Sequence, residues 1–259
     1  MQEKAILVVS FGTSYQDTCE RTIKALESDL SARFPDRRFY RAWTSNIIRR
    51  KLAAQGVVID SVEEALERMQ RDGIRDLLVQ TTHMLPGEEY ALTLEALEKH
   101  HRGFSALRIG APLLADRTDL EELAHILENS YPQIGQGCLL AFMGHGSGCL
   151  DTPIYEALEQ LFKRDGYSSF CVGTVEFEPG FVPVLERIRR ERPSKVYLTP
   201  LMVVAGDHAN NDMAGDEPDS WRSQIEAEGV RTECILKGLG EYAAIREMYI
   251  KHAEAARSL

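Results

Sequence analysis

Cys138-Leu-Leu-Ala-Phe-Met143, followed by Gly144-His145-Gly146, is the stretch that decides the fold class. Its apolar residues run on without alternation, which predicts a strand covered on both faces, as in a parallel sheet flanked by helices. Similar short runs occur at Ala5–Ser10, Asp76–Thr82, Leu107–Ala111, Phe170–Val175, Lys195–Leu201 and Thr232–Lys237. Between them lie longer segments of helical period. Cys19, Ile23, Leu26 and Leu30 share one helix face, and Ser61/Glu64 and Thr118/Glu121 have the spacing of capping boxes. Alternation of strands and helices predicts an α/β protein built on parallel sheets.

A faint internal repeat sharpens that reading. Ser10-Phe11-Gly12-Thr13 follows the first strand as Gly144-His145-Gly146-Ser147 follows the strand at 138. Pro86-Gly-Glu-Glu89 follows a strand in the first half, and Ala205-Gly-Asp-His208 follows one in the second. Two similar lobes are expected, 1–132 and 133–259, joined near 128–136 and facing across a cleft. The ligands of open α/β sheets sit at the carboxyl ends of strands.

Composition narrows the function classes. The chain has 259 residues, 44% of them hydrophobic and 27% charged, which excludes a disordered tail or a fibrous protein. Thirty Lys and Arg against forty Asp and Glu give a net charge of −10, the wrong sign for a nucleic-acid-coating protein. No apolar run is long enough for a membrane helix. The first residues lack the pattern of a signal peptide, and the five scattered cysteines form no CxxC pair. A cytoplasmic location is expected. The sequence leaves room for a homo-oligomer.

Three polar residues fall where predicted strands hand over to loops. His145 is bracketed by two glycines, Glu176 ends the run from Phe170, and His208 lies in Val203-Val204-Ala205-Gly206-Asp207-His208. Two imidazoles and one carboxylate with open positions suit Co2+, Fe2+, Ni2+ or Zn2+ better than Mg2+ or Ca2+. Taken singly, each His is better explained as a hydrogen-bonding surface or cleft residue; their joint placement favours a metal. His83, at another strand end beside Glu88 and Glu89, is a candidate for the opposite wall, and the two glutamates equally suit a helix start. Ser10–Ser14 lacks phosphate-loop spacing, and Gly144–Ser147 is not a nucleophile elbow. Arg37, Arg38, Arg41, Arg49, Arg50 and Lys51 form a basic cluster that would attract a polycarboxylate if it bordered the cleft.

Four segments resemble the class II tetrapyrrole chelatases of the anaerobic cobalamin pathway, in particular the sirohydrochlorin cobaltochelatase (CbiK) family. They are Leu7–Tyr15 with Asp17-Thr-Cys19, Phe142–Gly146, Pro200–Met213 and Gly238–Glu241, with Leu201–Met213 the most specific. The resemblance spans the chain and implies two α/β lobes around a cleft. It implies that His145, Glu176 and His208 are catalytic and bind metal, with His145 as general base. It implies tetrapyrrole contact by Glu89 and Val203–Asp207; with the strand-end residues Ser10, Phe11, Gly12, Thr13 and His83 these make the expected substrate wall. Glu178, two residues from Glu176 on the same strand face, competes for the carboxylate role. The expected activity is insertion of Co2+, or of Fe2+ or Ni2+, into sirohydrochlorin with release of two protons. The metal is substrate, and no tightly bound cofactor is expected. A metal-dependent hydrolase and a non-catalytic metal or haem carrier are the alternatives.

Overall fold

In the computed structural model the residues described are 3–132, 134, 135, 137–146, 148 and 154–259. They form two units, 1–116 with 240–259, and 117–239.

The first unit is built on β1 (Lys4–Ser10), α1 (Gln16–Arg21), α2 (Ile23–Arg33), β2 (Arg38–Trp43), α3 (Asn46–Ala53), α4 (Val62–Arg71), β3 (Asp76–Thr81), α5 (Glu88–His100) and β4 (Ala106–Gly110). The four strands are parallel in the order β2-β1-β3-β4. Leu7, Val9, Tyr40, Val79 and Ile109 face α4 and α5 through Leu66, Met69 and Leu97. The predicted face of Cys19, Ile23, Leu26 and Leu30 is buried, and the helix breaks at Thr22 into α1 and α2. At Ser61 the expected capping box is present in both directions, fixing the start of α4.

The second unit contains α6 (Arg117–Ser130), β5 (Cys138–Gly144), α7 (Ile154–Arg164), β6 (Phe170–Thr174), α8 (Val182–Glu191), β7 (Lys195–Leu201), α9 (Trp221–Ala227) and β8 (Arg231–Cys234). Its strands are again parallel, in the order β6-β5-β7-β8. As the unbroken apolar run requires, both faces of β5 are buried. Leu139, Ala141 and Met143 join a core with Val196, Leu198 and Trp221. Phe142, on the other face, packs against Tyr131, Phe162 and Phe170. Full burial of such a ring contributes about 1.5–3 kcal/mol.

Numbered within each unit, both sheets have the strand order 2-1-3-4, with Ser10 and Gly144 as equivalent strand ends. That shared order accounts for the faint repeat.

One strand was unforeseen and two expectations are corrected. The strand Arg38–Trp43 was not foreseen in a segment read as a basic cluster. The helix expected from Thr118 opens at Arg117. The division after residue 132 does not follow the contacts: α6 belongs to the second unit, and α10 (Ala243–Glu254) with β9 (Arg257–Ser258) returns to the first. The reason is apolar. Ile245, Met248, Tyr249 and Ala253 are buried, and α10 packs on α2, β3 and β4. β9 adds an antiparallel edge beside β4.

Candidate metal centre

In the second unit β5 lies between β6 and β7, and Gly144 is in register with Thr174 on one side and Leu201 on the other. The chain order reverses at β5/β7, and such switch points are where open α/β sheets bind ligands. His145 directly follows β5, Glu176 lies two residues past β6, and His208 lies seven past β7. One ligand atom from each of His145, Glu176 and His208 falls within 4.8 Å of the others. That is the one such group of three found among the described residues.

Local structure fixes each candidate ligand. The sheet pairing continues past the strands, since Val175 N–H donates to the Gly144 carbonyl (2.9 Å) and Glu176 N–H to that of His145 (2.8 Å). Gly146 follows in the left-handed region, φ +94°, which glycine adopts at little cost. Its N–H donates to the Tyr155 hydroxyl (3.2 Å), whose pKa burial raises. On the other side Thr174 donates its hydroxyl to the Phe177 carbonyl (2.9 Å) and accepts from Gly180 N–H (2.8 Å). This tie holds the turn just after Glu176, where Phe177 has φ +58°.

The imidazoles are oriented from behind. A carbonyl only accepts, so the 3.0 Å contact to Gly146 O places the proton of neutral His145 on Nδ1 and leaves Nε2 free to ligate. His208 Nδ1 donates to the Asp212 carboxylate (2.8 Å), again freeing Nε2. The two rings sit edge to face, with centroids 5.1 Å apart. His208 precedes a wide helical turn, Ala209–Met213, in which Ala214 N–H reaches back to the Ala209 carbonyl. Ala209 and Met213 anchor that turn in the core, and the Asn210 amide holds the Gly206 carbonyl (2.7 Å). His145 and Glu176 are exposed and His208 half-buried, so solvent and a second reactant have access. Glu178 is exposed and outside the group of three, which takes in Glu176.

Of the remaining expected contacts, Val203, Val204, Ala205, Gly206 and Asp207 form the loop between β7 and His208, with Ala205 buried and Asp207 exposed. In the first unit Ser10 ends β1 and is buried, Phe11 is exposed, and Gly12 (φ +100°) has the Trp43 ring against its open side. Thr13 accepts from Tyr15 N–H (3.2 Å) ahead of α1. His83 is buried two residues past β3, without a hydrogen-bond partner for either ring nitrogen; burial lowers its pKa to about 4 and keeps it neutral. Glu89 is half-buried in the first turn of α5.

The basic cluster is divided. Arg37 is buried against Asp76, Arg38 pairs with Asp72, Arg41 with Glu27, and Arg49 with Glu64. Arg37 and Arg38 lie at the amino end of β2, opposite to the expected ligand edge. Sequence reasoning missed Asp212, Tyr155 and Thr174. Only Asp212 left a signal, four residues from His208.

Two parallel α/β sheets and a His/Glu/His group at a strand-order reversal make this a candidate metal site. The comparisons are specific. The family model described as cobalt chelatase (CbiK) matches residues 4–258, and the chain belongs to that family. It is 39% identical over 258 residues to the sirohydrochlorin cobaltochelatase of Salmonella typhimurium, covering 99% of this chain and 97% of that protein. It is 35% identical over 265 residues to sirohydrochlorin cobaltochelatase CbiKC of Nitratidesulfovibrio vulgaris, covering 100% and 92%. SirB from Bacillus subtilis with Fe3+ shares the fold at TM-score 0.64 and 11% identity, covering 97% of this chain and 94% of that one. CbiX, the terminal enzyme of sirohaem biosynthesis in denitrifying bacteria, does so at 0.55 and 18%, covering 97% and 99%. No helix among the described residues is long and apolar enough to cross a membrane.

Proposed function

We propose that this protein is a sirohydrochlorin cobaltochelatase, inserting Co2+ into sirohydrochlorin with release of two protons. The observation that carries the reading is the convergence of His145, Glu176 and His208 within 4.8 Å at the end of the second sheet. Full-length similarity to two cobaltochelatases supports the substrate assignment.

In this reading the three side chains bind the incoming ion while leaving coordination positions open to the ring nitrogens. Asp212 keeps the His208 lone pair on Nε2, and the Gly146 carbonyl does the same for His145. Metal entry expels two pyrrole N–H protons. As His145 gives up the metal its Nε2 lone pair is released and accepts one of them, and the other passes to the solvent that reaches this exposed site. Glu176 offsets the ion's charge before transfer. Ser10, Phe11, Gly12, Thr13, His83 and Glu89 of the first unit and Val203–Asp207 of the second are assigned to tetrapyrrole contact. Fe2+ and Ni2+ fit the same donor set, so the ligands alone do not impose cobalt.

The test is an anaerobic absorbance assay of the purified protein with sirohydrochlorin and Co2+, beside Fe2+, Ni2+ and a protein-free control. Conversion catalytic in protein, and lost in H145A with the fold intact by circular dichroism, supports the reading. A shift only stoichiometric with protein would make it a carrier, and unchanged turnover of H145A would remove His145 from the mechanism.

A further inference from the structure

We infer that α3 is a docking face for the carboxylate rim of the tetrapyrrole, with Arg50 and Lys51 as the contacting cations and Ile47 and Phe11 as apolar neighbours. This inference rests on the substrate reading above.

The helix leaves β2 at its carboxyl end and is tied to the loop after β1. Thr44 N–H donates to the Ser10 carbonyl (2.9 Å) and Ser45 N–H to that of Phe11 (3.2 Å). Ser45 then caps α3 by accepting from Ile48 N–H (3.4 Å). Beyond that cap the helix buries none of its eight residues, although it carries Ile47, Ile48 and Leu52. Ile47, Arg50 and Lys51 are spaced three and four apart and therefore share one face. Lys51 Nζ donates to the Ser14 hydroxyl (3.1 Å), which turns that face toward the Phe11–Ser14 loop.

Charge and exposure say what covers it. The helix has no acidic residue, and Arg50 forms no side-chain hydrogen bond or ion pair among the described residues. Of the six cations in the cluster, the other four are held by carboxylates; among the described residues Arg50 and Lys51 are not. Two uncompensated cations on a chain of net charge −10 stand beside Ile47, 79% exposed, and Phe11, 48% exposed. A surface cationic and apolar at once fits a flat apolar ring edged with carboxylates.

The experiment is a titration of metal-free sirohydrochlorin into wild-type protein, R50A/K51A and R50E/K51E, followed by absorbance at low and moderate salt, with insertion kinetics on the same samples. R71A/R190A changes net charge equally and serves as control. We expect R50A/K51A to weaken binding and raise KM about tenfold, the scale of two partly screened charge contacts, with kcat at saturation unchanged. Charge reversal should weaken both further, and salt should weaken wild-type binding more than variant binding. Wild-type affinity and KM in R50A/K51A overturn the inference and leave the chelatase reading standing. A change in sedimentation without a change in affinity assigns the face to a second copy of the chain and also overturns it. If the wild-type protein neither binds nor converts sirohydrochlorin, the substrate reading falls and takes this inference with it.

Discussion

Gly146→Ala tests whether the metal centre depends on the close approach of two strand ends. A Cβ at Gly146 would lie 2.7 Å from the carbonyl carbon of Glu176 and closer still to its oxygen, inside the 3.0 Å that real Cβ atoms respect. The two backbones would have to part by about an ångström, and a displacement of that size costs about a hundredfold where reacting groups must be held in place. The hydrogen bond from Glu176 N–H to the His145 carbonyl runs across the same gap and would be lost with it. The substitution carries a second, separable cost, because φ is +94° and a left-handed residue with a side chain costs about 1–2 kcal/mol. Gly166→Ala isolates that cost. Its φ is +92°, but nothing lies within 4 Å of the position its Cβ would take. In a thermal scan G166A should lose that increment alone, and G146A that increment together with the cost of the parted backbones and the lost hydrogen bond. Only G146A should lose about two orders of magnitude in initial rate of Co2+ insertion, followed by absorbance under anaerobic conditions. A G146A rate within threefold of G166A would refute the claim that strand-end contact fixes the ligands.

Asp212→Asn should weaken metal binding about 10–100-fold by removing the carboxylate behind His208, read by competition with a chromophoric chelator. Glu178→Gln should insert metal at close to the wild-type rate while Glu176→Gln loses most activity; equal losses would return Glu178 to the ligand set. His83 gives a pH effect of definite sign. Burial lowers its pKa from 6.5 to about 4, so between those values the unfolded chain binds the proton that the folded chain refuses. Its contribution to stability is full above pH 6.5 and is lost as pH falls toward 4, at about 1.4 kcal/mol per pH unit and about 3 kcal/mol in all. Urea midpoints at pH 7 and pH 5 should therefore differ less in H83Q than in wild type.

The convergence of His145, Glu176 and His208 as a candidate metal site was legible because each combined a chemical type with a strand-end address, and strand ends follow from unbroken apolar runs. The strand Arg38–Trp43 was not, because its alternating Arg-Phe-Tyr-Arg-Ala-Trp mixes cations into an edge position, where charged side chains discourage pairing with other chains. Grouping its arginines with those of α3 hid the difference between Arg37, buried on Asp76, and Arg50, which has no ion-pair partner among the described residues. Local pattern also has no means of announcing that α10 packs on elements more than a hundred residues earlier in the chain. The Tyr249 hydroxyl donating to the Thr82 carbonyl (2.9 Å) is visible only in three dimensions. Tyr155 escaped for the same reason: its hydroxyl serves a backbone N–H nine residues away in the chain.

The return of α10 and β9 to the first unit also sets an order of events at the ribosome. Domains generally fold as units while the chain emerges. Here the unit that begins first is finished last, because the sheet made from residues 4–110 waits for a helix translated after residue 242. The second unit is one uninterrupted segment, 117–239, with every strand in hand before that helix is translated. The half holding the candidate metal site can therefore close while the half proposed to meet the tetrapyrrole rim is still incomplete. A nascent chain stalled short of residue 243 would expose the apolar seat of Tyr249, a surface that chaperones and proteases read as unfinished.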